Sequence, residues 1–196
     1  YISPDLIDKM YSEKQAPKLG GVQDYHTAFF SDIQSFSTFS EQLEPEKMVK
    51  LMNEYLTEMT DVLLSHEGTL DKYIGDAIVA FYGAPAPVID QEKKACSTSL
   101  EMHKRLDHLR TKWKSEGEWP DIVYNMQHRI GLNSGQMVTG NMGSEMRMNY
   151  TMMGDTVNLA ARLEPAAKQY GVYILVGENI YEATNDEYAF RFLDFL

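Results

Sequence analysis

A candidate hairpin at 69–82 constrains the fold of this chain more than any other sequence feature. Two short apolar runs, 69–74 and 77–82, flank a tight turn at Gly75 and Asp76. Runs of this length around a two-residue turn are typical of two antiparallel strands. The sequence therefore predicts an antiparallel pair with the Asp76 carboxylate at its tip.

A long helical pattern lies on each side of this hairpin. The first begins at Pro45, a residue favoured in the first turn of a helix, and is closed by Gly68. Its apolar residues recur at helical spacing and form one stripe: Met48, Leu51, Met52, Tyr55, Leu56, Met59, Val62 and Leu63. The second pattern covers 90–115 and carries charged residues on its other face. We interpret both as amphipathic helices that contribute to the core.

The rest of the chain alternates between strands and helices. We predict strands over 25–33, 149–153, 172–176 and from 188 onward, a hairpin of 126–132 with 136–141, and helices over 3–10, 155–170 and 178–183. This order predicts one α+β domain over 22–196, of ferredoxin-like, palm-type kind, with a mostly antiparallel sheet and helices packed on one face. We expect 1–21 to be a connecting helix and linker to an upstream regulatory domain that the given sequence lacks.

The composition limits the partners of the chain. Its formal net charge of −11 argues against nucleic acid, because affinity for a polyanion comes largely from clustered Lys and Arg. A phosphate-bearing substrate would need metal ions and a few placed cations to hold it. The single cysteine, Cys96, excludes an intramolecular disulfide. Since no apolar run is long enough to span a membrane, we expect a soluble, cytoplasmic domain, with any membrane tether lying upstream.

Two aspartates are candidates for a metal site. Asp32 ends the strand predicted at 25–33, and Asp76 lies at the hairpin tip, so neighbouring strands would bring the two carboxylates side by side. Paired hard oxygen ligands suit Mg²⁺ or Mn²⁺, and two such ions can bind the attacking and leaving oxygens of a phosphoryl transfer. The same spacing also fits an Asp that fills a turn position and an exposed strand end.

Two further groups of residues are candidates for binding phosphate. Ser35, Phe36 and Ser37 open a turn into the next helix, where backbone N–H groups can cradle a polyphosphate. A plain serine-rich helix cap would have the same sequence. Asn158 and Arg162 are four residues apart on one predicted helix, so they share a face from which the Arg can stabilise charge on a phosphoryl oxygen. A solvated surface pair fits this spacing as well.

Four segments together resemble the catalytic domains of class III adenylyl and guanylyl cyclases. In chain order they are FFSDIQSF (29–36), LDKYIGDA (70–77), HRIGLNSG (128–135) and NYTMMGDTVNLAARL (149–163). They follow the order found in the family, and the resemblance covers 22–196. It implies the class III nucleotidyl cyclase fold and a lyase of the bacterial, homodimeric type.

The resemblance also implies roles for particular residues. Asp32 and Asp76 match the two metal-binding carboxylates, with the Ile33 backbone carbonyl as a further ligand of two Mg²⁺ or Mn²⁺ ions. Asn158 and Arg162 match the pair that positions the ribose and stabilises the transition state. In the family these two sets lie on opposite sides of a head-to-tail homodimer. A lone chain is therefore expected to be nearly inactive.

Lys72 and Thr151 match the pair that reads the purine, and their chemistry favours ATP. Adenine presents a ring-nitrogen acceptor and an exocyclic amine donor, which complement an ammonium and a hydroxyl, whereas guanine inverts part of that pattern. The expected reaction is attack of the ribose 3′-oxygen on the α-phosphorus, giving 3′,5′-cyclic AMP and pyrophosphate. A guanylyl or mixed-specificity cyclase is the alternative enzyme.

Two departures from the family keep a third reading open, a catalytically weak nucleotide-binding or dimerisation module. Ser35 stands where many members have glycine, and its side chain is expected to crowd the phosphate-facing backbone. The sequence given also stops short of the hairpin that carries a phosphate-binding lysine in this family. No residue here is assigned that role.

Overall fold

A central strand, β1 (Gly20–Ile33), organises the sheet. The computed structural model describes residues 18–194, and the further strands in this range are β2 (Thr69–Ile74), β3 (Ala77–Tyr82), β4 (His128–Ser144), β5 (Arg147–Met153) and β6 (Ile174–Val176). The strand order is β2-β3-β1-β4-β5 with antiparallel neighbours throughout, and β6 pairs with β4 in parallel. The predicted α+β class with a mostly antiparallel sheet is confirmed.

Two long helices cover one face of this sheet. The helices of the described range are α1 (Phe36–Ser40), α2 (Pro45–Ser65), α3 (Gln91–Glu116), α4 (Asp121–Tyr124), α5 (Asp155–Tyr170) and α6 (Glu178–Thr184). The predicted stripe of α2 buries Leu51, Tyr55 and Met59 in the main core. Each such side chain contributes roughly 1.5–3 kcal/mol by leaving water. The Trp113 indole N–H on α3 donates to the Glu54 carboxylate at 2.9 Å and ties α3 to α2.

Helix α5 packs on the opposite face, so the prediction that the helices share one face was wrong in this respect. Successive strand residues point to opposite faces. Phe29 therefore faces the core formed with α2 and α3, while Ala28 lies in a second cluster with Val157 and Ala160 of α5. The central strands are apolar on both faces, and a sheet of this kind needs cover on both sides.

The predicted hairpin of 126–132 with 136–141 was also wrong, because these residues belong to one continuous strand, β4. β1 pairs with β4 along its whole length and carries the strand through the Asn-Ser-Gly segment that suggested a turn. The polar side chains of that segment are satisfied inside the fold. The Asn133 amide donates to the Thr156 carbonyl at 3.0 Å, and the Ser134 hydroxyl lies 2.7 Å from the Thr27 hydroxyl. The turn of the true hairpin follows at 145–146.

The segment 188–194 forms no strand, contrary to prediction. It is held by side chains instead: the Tyr188 hydroxyl lies 2.7 Å from the Ser97 hydroxyl of α3, and Phe190 packs against the main core.

The other predicted elements are confirmed with small shifts of their ends. The hairpin 69–82 and the helix 155–170 have the predicted bounds, β1 begins at Gly20, five residues earlier than predicted, and β6 begins at Ile174 rather than 172. α2 ends at Ser65, before the predicted stop at Gly68. The helix predicted at 3–10 lies outside the described residues. Within 18–194, no helix combines the length and apolar character required to cross a bilayer.

Gly131 lets α5 lie directly on β4. A Cβ atom at this position would be 2.5 Å from the Ala160 carbonyl oxygen and 2.5 Å from the Glu164 amide nitrogen, which are backbone atoms of α5. Backbone atoms of a packed helix cannot move aside without displacing the helix. The glycine is therefore required by close approach.

We predict that Gly131→Ala lowers the free energy of unfolding by about 2 kcal/mol or more, because the added methyl group pushes α5 away from the sheet. Urea unfolding measures the change. Gln136→Ala, an exposed site on the same strand, serves as the control and should change stability by less than about 0.5 kcal/mol. Equal stabilities for the two variants would contradict this packing.

Candidate active site

Asp32 and Asp76 lie together at one end of the sheet. Asp76 follows β2 in the turn to β3, and its Oδ2 accepts a hydrogen bond from the Ile33 backbone N–H at 3.0 Å. Asp76 is 9% exposed and Asp32 is half-buried. Burial, then hydrogen bonding to Asp32 and its negative charge, raise the pKa of Asp76 to about 7. The structure thus brings the two predicted metal ligands into direct electrostatic contact.

This pair of carboxylates fits a divalent cation. Two crowded acids that resist ionising together are stabilised when a cation offsets their charge. Within the described range, no group of three or more His, Cys, Asp or Glu side chains is arranged to hold a metal. Side-chain ligands would thus be the two aspartates alone, as in magnesium sites where one or two carboxylates act with substrate phosphates.

A buried polar pair lies close to the two carboxylates. The Tyr55 hydroxyl of α2 is 3.0 Å from Nδ1 of His128 on β4. Burial raises the pKa of Tyr55, and the charges of Asp76 and Asp32 raise it further. Burial holds the pKa of His128 well below its usual range, and the neighbouring His103 adds to this effect. Both side chains are therefore neutral at physiological pH.

An ion pair that the sequence analysis did not select lies beside Asp32. Arg129 is the cross-strand neighbour of Asp32, and its Nε donates to Glu164 Oε1 of α5 at 2.9 Å. The two side chains are only 10% and 11% exposed. Burial raises the pKa of Glu164, Arg129 opposes that shift, and Asp32 adds to it. A charged Arg directly before the apolar residues Ile130 and Leu132 of β4 was the available signal for this pair.

Lys72 and Thr151 meet although they lie on the strands at opposite ends of the sheet path. The sheet curls until β2 approaches β5, and the Lys72 ammonium donates to Thr151 Oγ1 at 3.3 Å. The Thr151 hydroxyl in turn donates to Asp71 Oδ2. Sequence reasoning found the first two residues and missed Asp71, although an acid directly before the lysine was visible in the motif.

Asn158 and Arg162 are placed as predicted, one turn apart on α5. Both are exposed, and neither hydrogen-bonds or ion-pairs with another described side chain. Ser35 is exposed and has a left-handed backbone (φ 59°), a conformation that glycine adopts at lower cost. It lies in the turn before α1, whose first residues are Phe36 and Ser37.

Comparison with known proteins identifies the family of the chain. The sequence profile described as "Adenylate and Guanylate cyclase catalytic domain" matches residues 22–194. The chain belongs to this family. The fold agrees, since the structure of the adenylyl cyclase CyaB from P. aeruginosa superposes with a TM-score of 0.76 at 35% identity, covering 86% of this chain and 84% of that one.

Other relatives of the cyclase domain include both nucleotide specificities. The chain is 33% identical over 191 residues to "Adenylate cyclase 1" of Rhizobium meliloti (strain 1021), covering 97% of this chain and 28% of that protein. The structure of the guanylyl cyclase Cya2 matches with a TM-score of 0.74 at 34% identity, covering 84% of this chain and 80% of that one. The domain thus spans about a third or less of the curated relatives it matches.

We predict that Asp76→Asn stabilises the metal-free cyclase domain at pH 8. The folded-state pKa of Asp76, about 7, lies above the ordinary value of 3.8, so the folded protein binds this proton more tightly than the unfolded chain does. The contribution of the group to stability is therefore lost as pH rises from about 4 to about 7. Asn is uncharged and retains the oxygen that accepts from Ile33. The gain in melting temperature, measured with EDTA, should be several degrees at pH 8 and much smaller at pH 5.

Two observations accompany this measurement. Added Mn²⁺ should raise the melting temperature of the parent but not of Asp76→Asn, since the variant has lost a carboxylate ligand. Asp61→Asn, at an exposed site on α2, should show neither effect. An Asp76→Asn protein that melts below the parent at pH 8 would contradict the predicted repulsion between Asp32 and Asp76.

Proposed function

We propose that this domain is an adenylyl cyclase that converts ATP to 3′,5′-cyclic AMP and pyrophosphate at sites shared between two copies of the chain. One observation carries the proposal: Lys72 and Thr151, 79 residues apart, lie 3.3 Å apart across the curled sheet. An ammonium and a hydroxyl side by side complement the ring-nitrogen acceptor and amine donor of adenine. Guanine would set its ring N–H against the ammonium.

Asp32 and Asp76 would hold two Mg²⁺ or Mn²⁺ ions together with the Ile33 backbone carbonyl. When bound, the ions neutralise phosphate charge and lower the pKa of the ribose 3′-hydroxyl. The ribose 3′-hydroxyl gives its proton to solvent, its oxygen forms a bond to the α-phosphorus, the bond from that phosphorus to the oxygen bridging to the β-phosphate breaks, and pyrophosphate leaves. Asn158 orients the ribose, and Arg162 stabilises the negative charge that develops on the phosphoryl oxygens. Backbone N–H groups of the turn at 35–37 would contact the polyphosphate.

The exposure of Asn158 and Arg162 supports a site formed by two chains. Both project from α5 without a partner among the described side chains, whereas Asp76 is buried in the β2–β3 turn and Asp32 is half-buried beside it. Exposed apolar side chains, among them Val22, Met146 and Met153, are available for a contact between copies. In a head-to-tail homodimer, α5 of one protomer would face the carboxylates of its partner. Two equivalent sites would result.

A guanylyl cyclase is the second candidate, because the similar protein Cya2 is described as one. Lys72 argues against it, since an acidic side chain at this position would be the complement of the guanine ring N–H.

We predict that mixing two inactive variants, Asp32→Ala and Arg162→Ala, restores cyclic AMP formation. Each variant alone should lose at least about a hundredfold in turnover. In a mixed dimer, one site combines both mutations and the other contains every native residue. Random mixing should recover about a quarter of native activity, since about half of the dimers are mixed and each has one intact site.

The matched control mixes Asp32→Ala with Asp76→Ala. One chain supplies both of these residues to a given site, so each site of the mixed dimer lacks one carboxylate. The mixture should therefore stay inactive. Mixed-dimer formation is verified with differently tagged chains. Confirmed mixed dimers of the first pair without activity would rule out the shared site.

A further inference from the structure

Asp71 is a buried acid on an edge strand. Its side chain is 1% exposed. The register between β2 and β3 shifts between Leu70 and Lys72, which places Asp71 in a bulge. Consecutive residues of a regular strand point to opposite faces, and bulges re-aim side chains. Here the irregularity lets Asp71 and Lys72 contact the same residue, Thr151.

Two hydrogen bonds and an ion pair connect these three side chains. The Thr151 hydroxyl donates to Asp71 Oδ2, the Lys72 ammonium donates to Thr151 Oγ1 at 3.3 Å, and that ammonium lies 3.4 Å from Asp71 Oδ1. A hydroxyl has one proton and two lone pairs. The proton of Thr151 is thus directed at a carboxylate, an especially strong acceptor. One lone pair receives Lys72, and one is left for a substrate.

The pKa of Asp71 is raised overall, although three donors to its carboxylate limit the shift. Burial raises the pKa of Asp71, whereas the Thr151 hydroxyl, the Lys72 ammonium and the Met152 backbone N–H lower it. These donors surround the carboxylate from β2 and β5.

We propose that Asp71 is a positioning residue that determines nucleotide specificity by fixing the direction of the Thr151 hydroxyl. This inference rests on the proposed function, in which Lys72 and Thr151 read the base. Asp71 takes the only proton of the hydroxyl, so Thr151 can accept a hydrogen bond from the base but cannot donate one. The exocyclic amine of adenine is a donor at this position, and the carbonyl of guanine is an acceptor. Besides Lys72, which meets the base directly, Asp71 therefore selects against GTP without touching the nucleotide.

The test is Asp71→Asn in the cyclase domain with Mn²⁺. kcat/KM is measured for ATP and for GTP, and GTP is also measured as an inhibitor of ATP turnover. The amide group of Asn can donate to Thr151 and free the hydroxyl proton for guanine. We expect the ATP-to-GTP preference to fall about tenfold, through weaker ATP use and tighter GTP binding. Asp61→Asn is the control and should keep the parent preference. Losses equal for both nucleotides would assign Asp71 a purely structural role and overturn the inference.

Thr151→Val supplies a second measurement that leaves Asp71 intact, so it decides the matter even if Asp71→Asn does not fold. If the hydroxyl serves only as an acceptor, this variant should lose ATP use and leave GTP binding unchanged. Equal losses for both nucleotides would mean that Thr151 also donates to guanine, which overturns the inference. In the Thr151→Val background, Asp71→Asn should not alter the preference further, because the two residues act through one hydroxyl.

The double variant Lys72→Glu with Thr151→Cys separates this inference from the proposed function. A changed preference in this variant together with an unchanged preference in Asp71→Asn would refute the role of Asp71 alone. An unchanged preference in both variants would show that Asp71, Lys72 and Thr151 do not determine which base binds. Both proposals would then fail.

Discussion

The pairing of β1 with β3 on one side and β4 on the other fixes the geometry of the site. The register that sets Ser31 opposite Ile78 brings the end of β1 level with the β2–β3 turn, and the Ile33 N–H then donates to the Asp76 carboxylate. The same strand places Asp32 opposite Arg129 of β4. A shift by one residue would turn every side chain of β1 to the other face, so the apolar residues on both faces hold the two aspartates in position.

The site concentrates negative charge that the protein alone does not neutralise. Asp32 raises the pKa of both Asp76 and Glu164, and the nearby cation, Arg129, is hydrogen-bonded to Glu164. Such repulsion destabilises the metal-free fold, in keeping with the general conflict between stability and function at binding sites. Arg129 and Glu164 also join β4 to α5. The strand that pairs with the end of β1 at Asp32 is thereby connected to the helix that carries Asn158 and Arg162.

Much of the fold was predictable from the sequence because its strongest patterns are local. The tight turn at Gly75 and Asp76 specified a hairpin, and the spacing of Leu51, Tyr55 and Met59 specified the buried face of a helix. The prediction failed where long-range pairing overrides local signals. Asn133 and Ser134 resemble a turn in isolation, but their pairing with β1 makes them part of a continuous strand.

In the candidate site, too, local motifs were predictable and contacts that depend on long-range pairing were not. Motifs identified Asp32, Asp76, Lys72 and Thr151, but the curl that joins the two ends of the sheet and the bulge that turns Asp71 inward depend on strand pairing. The pairing of Arg129 with Glu164 likewise depends on the position of α5. The sequence-based prediction had put this helix on the wrong face of the sheet.

The central claim, that this chain makes cyclic AMP, is tested most directly by incubating the purified domain with ATP and Mn²⁺ and identifying the nucleotide products by mass. The account predicts 3′,5′-cyclic AMP and pyrophosphate in equal amounts, with turnover per chain increasing with protein concentration as dimers form. ADP or AMP as the product, or no product at concentrations where dimers are present, would contradict it.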